Sequence, residues 1–344
     1  MTKPFHIFVF LLTLLAYLSV YVSPAHFWLA GFFSLAIPIL LIVNLLLLIL
    51  YAIRRHQLAI LPLLAIMLGY PHIVASIAFH SSSSTSNGTF SVLNYNVRVF
   101  NIYAHLRASD SEELSMIDWL VQEDADVKCL QEFYNDDSST VFNTTDALLK
   151  EGEYQSFVHP SLINRIGAEF GLAIFSRFPI VHRGEVTAEG DSLQYAIFAD
   201  IKTPSGLVRV YNVHLRSMSI DENTLSSREA YPSIARKLKN GFTTRAHQVN
   251  GLLAHVEQSP HPVVVSGDFN DLPYSYSYFL LRGHLTNTFE KAGHGFGFSY
   301  NGRLPFLRID NQFFSDTLQA SSFAVYQDVS FSDHYPMKAV YSFE

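Results

Sequence analysis

The rhythm of apolar and polar positions changes once along this chain, near residue 80. Before that point apolar residues run almost unbroken through residues 5–22, 27–53 and 58–79. At 1.5 Å of rise per helical residue, each run covers the ~30 Å hydrocarbon core of a bilayer, so the pattern predicts three transmembrane helices. Pro62, Gly69 and Pro71 interrupt the third, a break that lipid tolerates only where neighbours satisfy the freed backbone groups. The polar stretch Ser81-Ser82-Ser83-Ser84-Thr85-Ser86-Asn87-Gly88 then reads as a flexible linker. The expected organisation is an anchor over residues 1–80, a linker over 81–89 and one larger domain over 90–344.

Beyond the linker the apolar runs shorten. Strands are expected at 90–100, 127–131, 171–176, 195–202, 207–214, 263–267, 308–314, 323–328 and 337–343, each rich in β-branched or aromatic residues and bounded by polar or Gly/Pro breaks. Helices are expected at 111–123 and 243–258, the second from Val249, Leu252, Leu253 and Val256 at helical spacing, with Thr243 or Thr244 as its cap. Strands outnumber helices and helices are interspersed among them. The simplest α/β architecture is therefore a two-sheet β-sandwich flanked by helices.

Charge sharpens the division. Residues 1–90 contain no Asp or Glu and only Lys3, Arg54 and Arg55 as fixed cations; the remainder sets 20 cations against 30 acids, a formal charge of −10. Cations stay on the cytoplasmic side, so Lys3 and the Arg54-Arg55 loop place the larger domain outside the cytoplasm. A domain of −10 repels polyanions, which argues against nucleic acid as the partner. A basic segment nevertheless exists, with Arg228, Arg236, Lys237, Lys239 and Arg245 close together and Tyr231 and Phe242 among them. The single cysteine, Cys129, excludes an internal disulfide and reads as a small buried hydrophobe.

Polar residues stand at the ends of the apolar strands: Asn94 and Asn96, Glu132, His214, Asp268 and Asn270, Asp310, and Asp333 with His334. Acids converging at buried strand ends repel one another, and a divalent cation is the usual remedy. Oxygen ligands of Asp, Glu and Asn favour Mg²⁺, with Mn²⁺ or Ca²⁺ as alternatives, over zinc.

The blocks Asn94-Tyr95-Asn96-Val97, Leu130-Gln131-Glu132, Gly171 to Arg177, Asn212-Val213-His214-Leu215, Gly267-Asp268-Phe269-Asn270, Arg308-Ile309-Asp310 and Ser332-Asp333-His334-Tyr335-Pro336 follow one another in a fixed order. This series resembles the endonuclease/exonuclease/phosphatase superfamily, which has a DNase I-like fold and includes nucleases, inositol-polyphosphate 5-phosphatases and neutral sphingomyelinases. The resemblance implies that Asn96, Glu132 and Asp333 hold the metal and that Asp268 and Asn270 orient or deprotonate the attacking water. It implies that His334, paired with Asp310, stabilises the transition state, and that His214 contacts the phosphate or serves the leaving group. Asn94 and Asn212 read as structural, and Arg177 as either a phosphate contact or a salt bridge. Lys128 and Asn311 depart from the family's usual apolar character at their positions.

The expected activity is hydrolysis of a phosphate ester by in-line attack of an activated water, on phospholipid headgroups or a small phosphodiester at a bilayer engaged through residues 5–80. The alternatives are an extracytoplasmic nuclease and an inactive binding protein that kept the fold.

Overall fold

The computed structural model describes residues 3–54, 56–80, 88–105, 112–152, 154–187, 195–218, 220 and 227–344. The N-terminal part is helical: α1 (Lys3–Ser19), α2 (Leu29–Leu35), α3 (Ile37–Ile53), α4 (Ile60–Leu68) and α5 (Tyr70–Ser76). The three continuous spans expected from hydropathy are broken. No single described helix is long and apolar enough to cross a membrane. Two bent pairs have the length and composition, Leu29–Leu35 with Ile37–Ile53 at 41° and Gln57–Leu68 with Tyr70–Ser76 at 54°. Proline supplies the reason. Pro38 and Pro71 each occupy the first turn of the second helix in a pair, where a ring without an N–H starts a helix but cannot continue one. At the second bend a Cβ on Gly69 would lie 2.4 Å from the Tyr17 hydroxyl, so only glycine lets α1 approach.

The remaining strands are β1 (Ala78–Phe79), β2 (Phe90–Asn96), β3 (Val127–Asn135), β4 (Gln155–Ile163), β5 (Glu169–Ser176), β6 (Ile180–Val186), β7 (Ala196–Thr203), β8 (Gly206–His214), β9 (Val263–Asp268), β10 (Thr286–Asn287), β11 (His294–Gly295), β12 (Asp310–Phe314), β13 (Leu318–Val325) and β14 (Met337–Phe343). Helices α6 (Ile102–His105), α7 (Glu112–Gln122), α8 (Thr144–Gly152), α9 (Tyr231–Glu257), α10 (Tyr276–Arg282) and α11 (Thr288–Ala292) lie between them. Two six-stranded sheets result, ordered β13-β14-β2-β3-β5-β4 and β10-β12-β9-β8-β7-β6. The expected α/β sandwich is therefore present.

Both faces of each sheet are covered, so central strands are apolar throughout rather than alternating. Val92, Cys129 and Ile174 of one sheet meet Ala199, Val210 and Val264 of the other. On the outer faces Leu93, Leu130 and Phe175 pack with Met116, Ile117 and Leu120 of α7. On the opposite side Val213, Val263 and Val265 pack with Val249, Leu252 and Val256 of α9. That last cluster also takes in Ala16, Tyr17, Val20, Ile37, Leu40 and Ala75, so the N-terminal helices share a core with the sandwich. Arg308, buried on the face of Phe289 at 3.8 Å, donates to the carbonyl of Ala75, and β1 pairs with β11. Most of the expected linker, residues 81–87, lies outside the described residues.

Helix α9 corrects the sequence reading. It begins 12 residues before the expected start at 243, and Thr243 is no cap: its hydroxyl donates to the Lys239 carbonyl one turn earlier. The basic run 236–239 lies before the expected start, but Ala, Arg, Lys and Leu are strong helix formers and Pro232 opens the first turn. Strands β4 and β6, and helices α8 and α10, were not foreseen.

Candidate active site

Two parallel pairs, β2 with β3 and β8 with β9, run side by side in their sheets and bring their carboxyl ends to the same rim. In register, Asn96 pairs with Gln131, His214 with Asp268, and Asp310 of the antiparallel β12 with the same Asp268. Five of the eight expected site residues are thus placed by backbone pairing alone or one residue beyond it.

Local backbone does the rest. The β3–β5 ladder shifts register between Leu130 and Phe133, and Glu132 sits within that bulge at φ 49°. A bulge re-aims a side chain that a regular strand would bury, at the cost of a left-handed backbone that non-glycine residues avoid. Asn270 has the same φ of 49°. Its backbone N–H donates to Asp268 Oδ1 at 2.8 Å and its Nδ2 to Asp268 Oδ2 at 3.0 Å, so the turn after β9 folds back onto its own carboxylate.

Asp268 is the hub. Asn96 Nδ2 lies 3.1 Å from its Oδ2 and 3.2 Å from Glu132 Oε1, which makes the Asn96 amide the bridge between the two acids. His214 Nε2 lies 3.6 Å from Asp268 Oδ2 and 3.8 Å from Glu132 Oε1. His334 Nε2 lies 3.7 Å from Asp268, while His334 Nδ1 bonds Asp310 Oδ2 at 2.8 Å. Burial holds the Asp268 carboxyl above the ordinary range and the charge of Asp310 adds to this, opposed by His334 and His214. For His334 burial acts to lower the pKa, but the charges of Asp310 and Asp268 outweigh it and raise the imidazole to about 10. His334 is therefore a cation at neutral pH.

Asp333 lines the same cleft as Glu132, Asp268, Asn270 and His334. Its carboxylate meets Arg98 Nε at 3.4 Å, carried there by a turn from Arg98 to Asn101 with every φ near +50° and tied down by Asn101 Nδ2 donating to the Phe331 carbonyl at 2.6 Å. Of the expected metal set, Glu132 and Asp333 line one cleft, and the buried Asn96 joins them through its 3.2 Å bond to Glu132 Oε1. A tighter group of potential ligands is Asp268, Asp310 and His334, whose ligand atoms lie within 4.8 Å of one another. The donors fit a hard divalent cation: Glu132 is partly exposed, His214 Nε2 lies 3.8 Å from it, and an amide and further carboxylates stand beside it.

The profile of the Endonuclease/Exonuclease/phosphatase family matches residues 93–334. The chain belongs to that family. Residues 3–76 match a second profile, described as a domain of unknown function (DUF8431). Similar solved structures include a functionally unknown conserved protein from Enterococcus faecalis, at 17% identity and TM-score 0.56 over 74% of this chain and 100% of that one. The human Nocturnin catalytic domain with bound sulfate aligns at 19% identity and TM-score 0.51 over 77% and 97%. A Bacteroides thetaiotaomicron mannosyl-6-phosphatase aligns at 19% and 0.51 over 74% and 100%. At these identities the likeness is one of fold. No curated protein matches the sequence significantly. The family's reaction class is phosphoester hydrolysis.

Against that family frame, the bystanders resolve. Asn94 is buried, donating to Asp310 Oδ1 at 3.3 Å and accepting from Gln131 and Ser266, so it orients the partner of His334. Asn212 bonds the carbonyls of Leu130 and Ala173 across the two sheets. Arg177 pairs with Asp124, the salt-bridge alternative. Arg245, expected in a basic surface, is fully buried against Asp271. Sequence reasoning missed Tyr300, whose ring stands edge-on to His334 at 5.4 Å, and Ser299, whose hydroxyl accepts from the Asp310 N–H at 3.1 Å. Neither falls in a family block, and no sequence signal marks them.

Proposed function

We propose that the chain is a membrane-tethered, metal-dependent phosphoesterase that hydrolyses its ester by direct attack of water, with residues 1–80 as the tether and 90–344 as the hydrolase. The observation that carries the catalytic half is Asp268, one buried carboxylate within reach of Asn96, Asn270, His214 and His334 at once. Asn96, Glu132 and Asp333 would hold a divalent cation, Mg²⁺ foremost, whose charge offsets that of the phosphoryl oxygens. Asp268, raised in pKa and gripped by Asn270, is suited to orient a water and take its proton. His334, kept protonated by Asp310, offers positive charge where negative charge grows on phosphorus-bound oxygen. His214, a quarter exposed and 3.6 Å from Asp268, would contact the phosphate or give a proton to the leaving oxygen.

The tether rests on surface chemistry. Among the described residues, 24 of the 32 exposed large hydrophobics lie between Phe5 and Phe79, far more than a water-facing surface carries. Lys3 opens α1 and Arg54 closes α3, whereas the residues that join the sandwich core, Tyr17, Val20, Ile37 and Ala75, sit at the opposite helix ends. With the cationic end cytoplasmic, the catalytic domain lies on the far side. Phospholipid headgroups are the favoured source of the ester. Burial of Arg245 takes one cation from the basic segment that favoured a nuclease.

The test uses the full chain in phosphatidylcholine vesicles with Mg²⁺ and bis-p-nitrophenyl phosphate or p-nitrophenyl phosphate. Turnover removed by EDTA and by Asp268→Ala supports the reading; turnover indifferent to both overturns it. Because Cys129 is buried, a cysteine at the exposed Lys202 gives a clean probe of sidedness. Lys202→Cys should react with a membrane-impermeant maleimide in intact cells, and protection until lysis would reverse the orientation.

A further inference from the structure

The catalytic cleft, about 370 Å³, has a wall of two kinds of residue. Glu132, Asp268, Asn270, Asp333 and His334 supply polar groups, Leu35, Met218, Leu238, Leu272, Leu304 and Leu307 supply hydrocarbon, and Ser217 and Tyr300 add hydroxyls. Leu35 belongs to the N-terminal helices, at the last position of α2 before the bend into α3. Its placement is built in. Gly31 of α2 packs on Phe242 of α9 so closely that a Cβ would come within 2.4 Å of the ring. Phe32 meets Phe242 edge-on at 5.4 Å, and Lys239 lies 4.9 Å over Trp28. The α2–α9 contact thus holds the bend at the cleft.

The apolar part of this wall favours one kind of ligand. Its six side chains offer no N–H or O–H, so a ligand hydroxyl set against them, rather than against Ser217 or Tyr300, loses water without a partner. A hydrocarbon chain would instead gain from burial there. The apolar residues line the same cleft as the residues assigned to the phosphate, so a molecule filling it meets both charge and hydrocarbon. Apolar surface also continues outward from this point, because α3 exposes Ile39, Ile42 and Leu46 beyond the bend.

We propose that the substrate is an amphiphilic phosphoester whose hydrocarbon portion lies along Leu35, Leu238 and Leu304 while its phosphate meets Asp268 and His334. The N-terminal helices then help to select substrate as well as tether the enzyme. This inference rests on the phosphoesterase reading above and narrows its substrate class.

Two homologous series test it on the full chain in phosphatidylcholine vesicles with Mg²⁺: n-alkyl p-nitrophenyl phosphates and n-alkyl phosphates, methyl through octyl, below micelle-forming concentrations. For the wild type, kcat/KM should climb by about fourfold per methylene until the wall is covered. Leu35→Ser and Leu238→Ser should lower the octyl-to-methyl ratio by about ten- to hundredfold, and Leu304→Ser, on a loop, repeats the test without disturbing a helix. Val181→Ser, on the exposed strand β6, should keep the wild-type ratio. A flat wild-type series overturns the proposal. So does a slope equal in wild type and in all three leucine variants, which would report partition into the vesicle alone. Failure of the wild type to turn over even the methyl esters overturns the phosphoesterase reading itself.

Discussion

The two halves of the chain are built inside-out with respect to each other. In the sandwich, aliphatic and aromatic side chains fill the centre and most charges lie outside, apart from a polar seam at the catalytic rim and a few enclosed groups such as Lys128, Arg308 and the Arg209–Asp200 pair. In residues 3–80 the exposed face is Phe8, Leu11, Leu18, Ile39, Leu46 and Met67, while the polar side chains are enclosed. Asn44 donates to Thr13 at 2.9 Å between α3 and α1, and Tyr51 meets His6 at 2.6 Å. Water drives apolar groups inward. Lipid removes that drive and leaves packing and interhelical hydrogen bonds to hold helices together. On the proposed tether, the contrast is the one expected of a half that faces lipid and a half that faces water, and it would account for two kinds of polar core in one chain. At the rim, polar groups are buried for chemistry; between the helices, they are buried for cohesion.

The largest expected effect lies at the rim. Asp310→Asn removes the charge that keeps His334 protonated near neutrality, and should cut kcat by about 10²–10⁴-fold. The sign of the pH effect follows from the raised imidazole. A folded pKa of about 10 against an ordinary 6.5 gives a contribution fully present below pH 6.5 and lost as pH rises through about 10. Without Asp310 the alkaline fall in activity should move toward neutrality. A pH–rate profile with an unmoved alkaline limb would show that the Asp310 pair is structural.

The next effect tests the contrast directly. Leu46, 61% exposed on α3, and Val181, 54% exposed on β6, look alike by exposure. In lipid, Leu46→Lys should cost about 2.5–3.5 kcal/mol and deplete the protein from carbonate-washed membranes. Val181→Lys, facing water, should change stability by less than about 0.5 kcal/mol. Equal, small effects at the two positions would mean that the helices' outer face meets water, and the comparison would fail.

Inside the sandwich the buried cation of β3 gives a further measure. Lys128 is fully buried in β3, its ammonium donating to the Leu120 carbonyl and lying 4.5 Å from the centre of the Tyr154 ring. Burial lowers its pKa to about 7, with Arg177 adding and Glu123 opposing. Folding therefore favours the neutral amine, and the penalty for protonation grows as pH falls from 10.5 toward 7, then stays constant below. Lys128→Met should raise stability by about 1–2 kcal/mol at pH 6 and progressively less toward pH 10, read from denaturant melts. A gain that does not shrink at high pH would trace to packing instead.

These residues also mark what the sequence could reveal. The site was legible because strand-end polar residues, Asn96, Glu132, His214 and Asp268, interrupt otherwise apolar runs, and parallel pairing carries such ends to one rim. The bulge at Glu132 was not legible, since a register shift belongs to the ladder with β5 and leaves no mark in composition. Strands β4 and β6 were missed because they flank their sheets, where half-exposed residues such as His159, His182 and Arg183 dilute the apolar signal. Hydropathy found the apolar helices but took each as one span, because it weighs Pro38 and Pro71 as mildly apolar residues when their missing N–H matters more. Leu35 carried no sequence signal at all: a leucine inside an apolar run becomes part of a cleft only through the contact of α2 with α9.

The smallest effect separates the two meanings of a buried polar group. Asn44 also donates to the Leu40 carbonyl in its own helix, so removing it breaks one bond within α3 and one to α1. In a water-facing bundle, Asn44→Leu would trade a buried amide for hydrocarbon at a helix contact and should stabilise or leave stability unchanged. In lipid the same change has no hydrophobic gain to offset the lost bond, and the expected cost is about 0.6 kcal/mol. Thr13→Val should cost a similar amount, and the double variant no more than either single one, because both remove the same Asn44–Thr13 bond. The readout is unfolding of the full chain in mixed micelles, at fixed detergent composition. Stabilisation by Asn44→Leu would mean that the helices are held by exclusion of water, and the inside-out arrangement would then need a protein partner on its outer face.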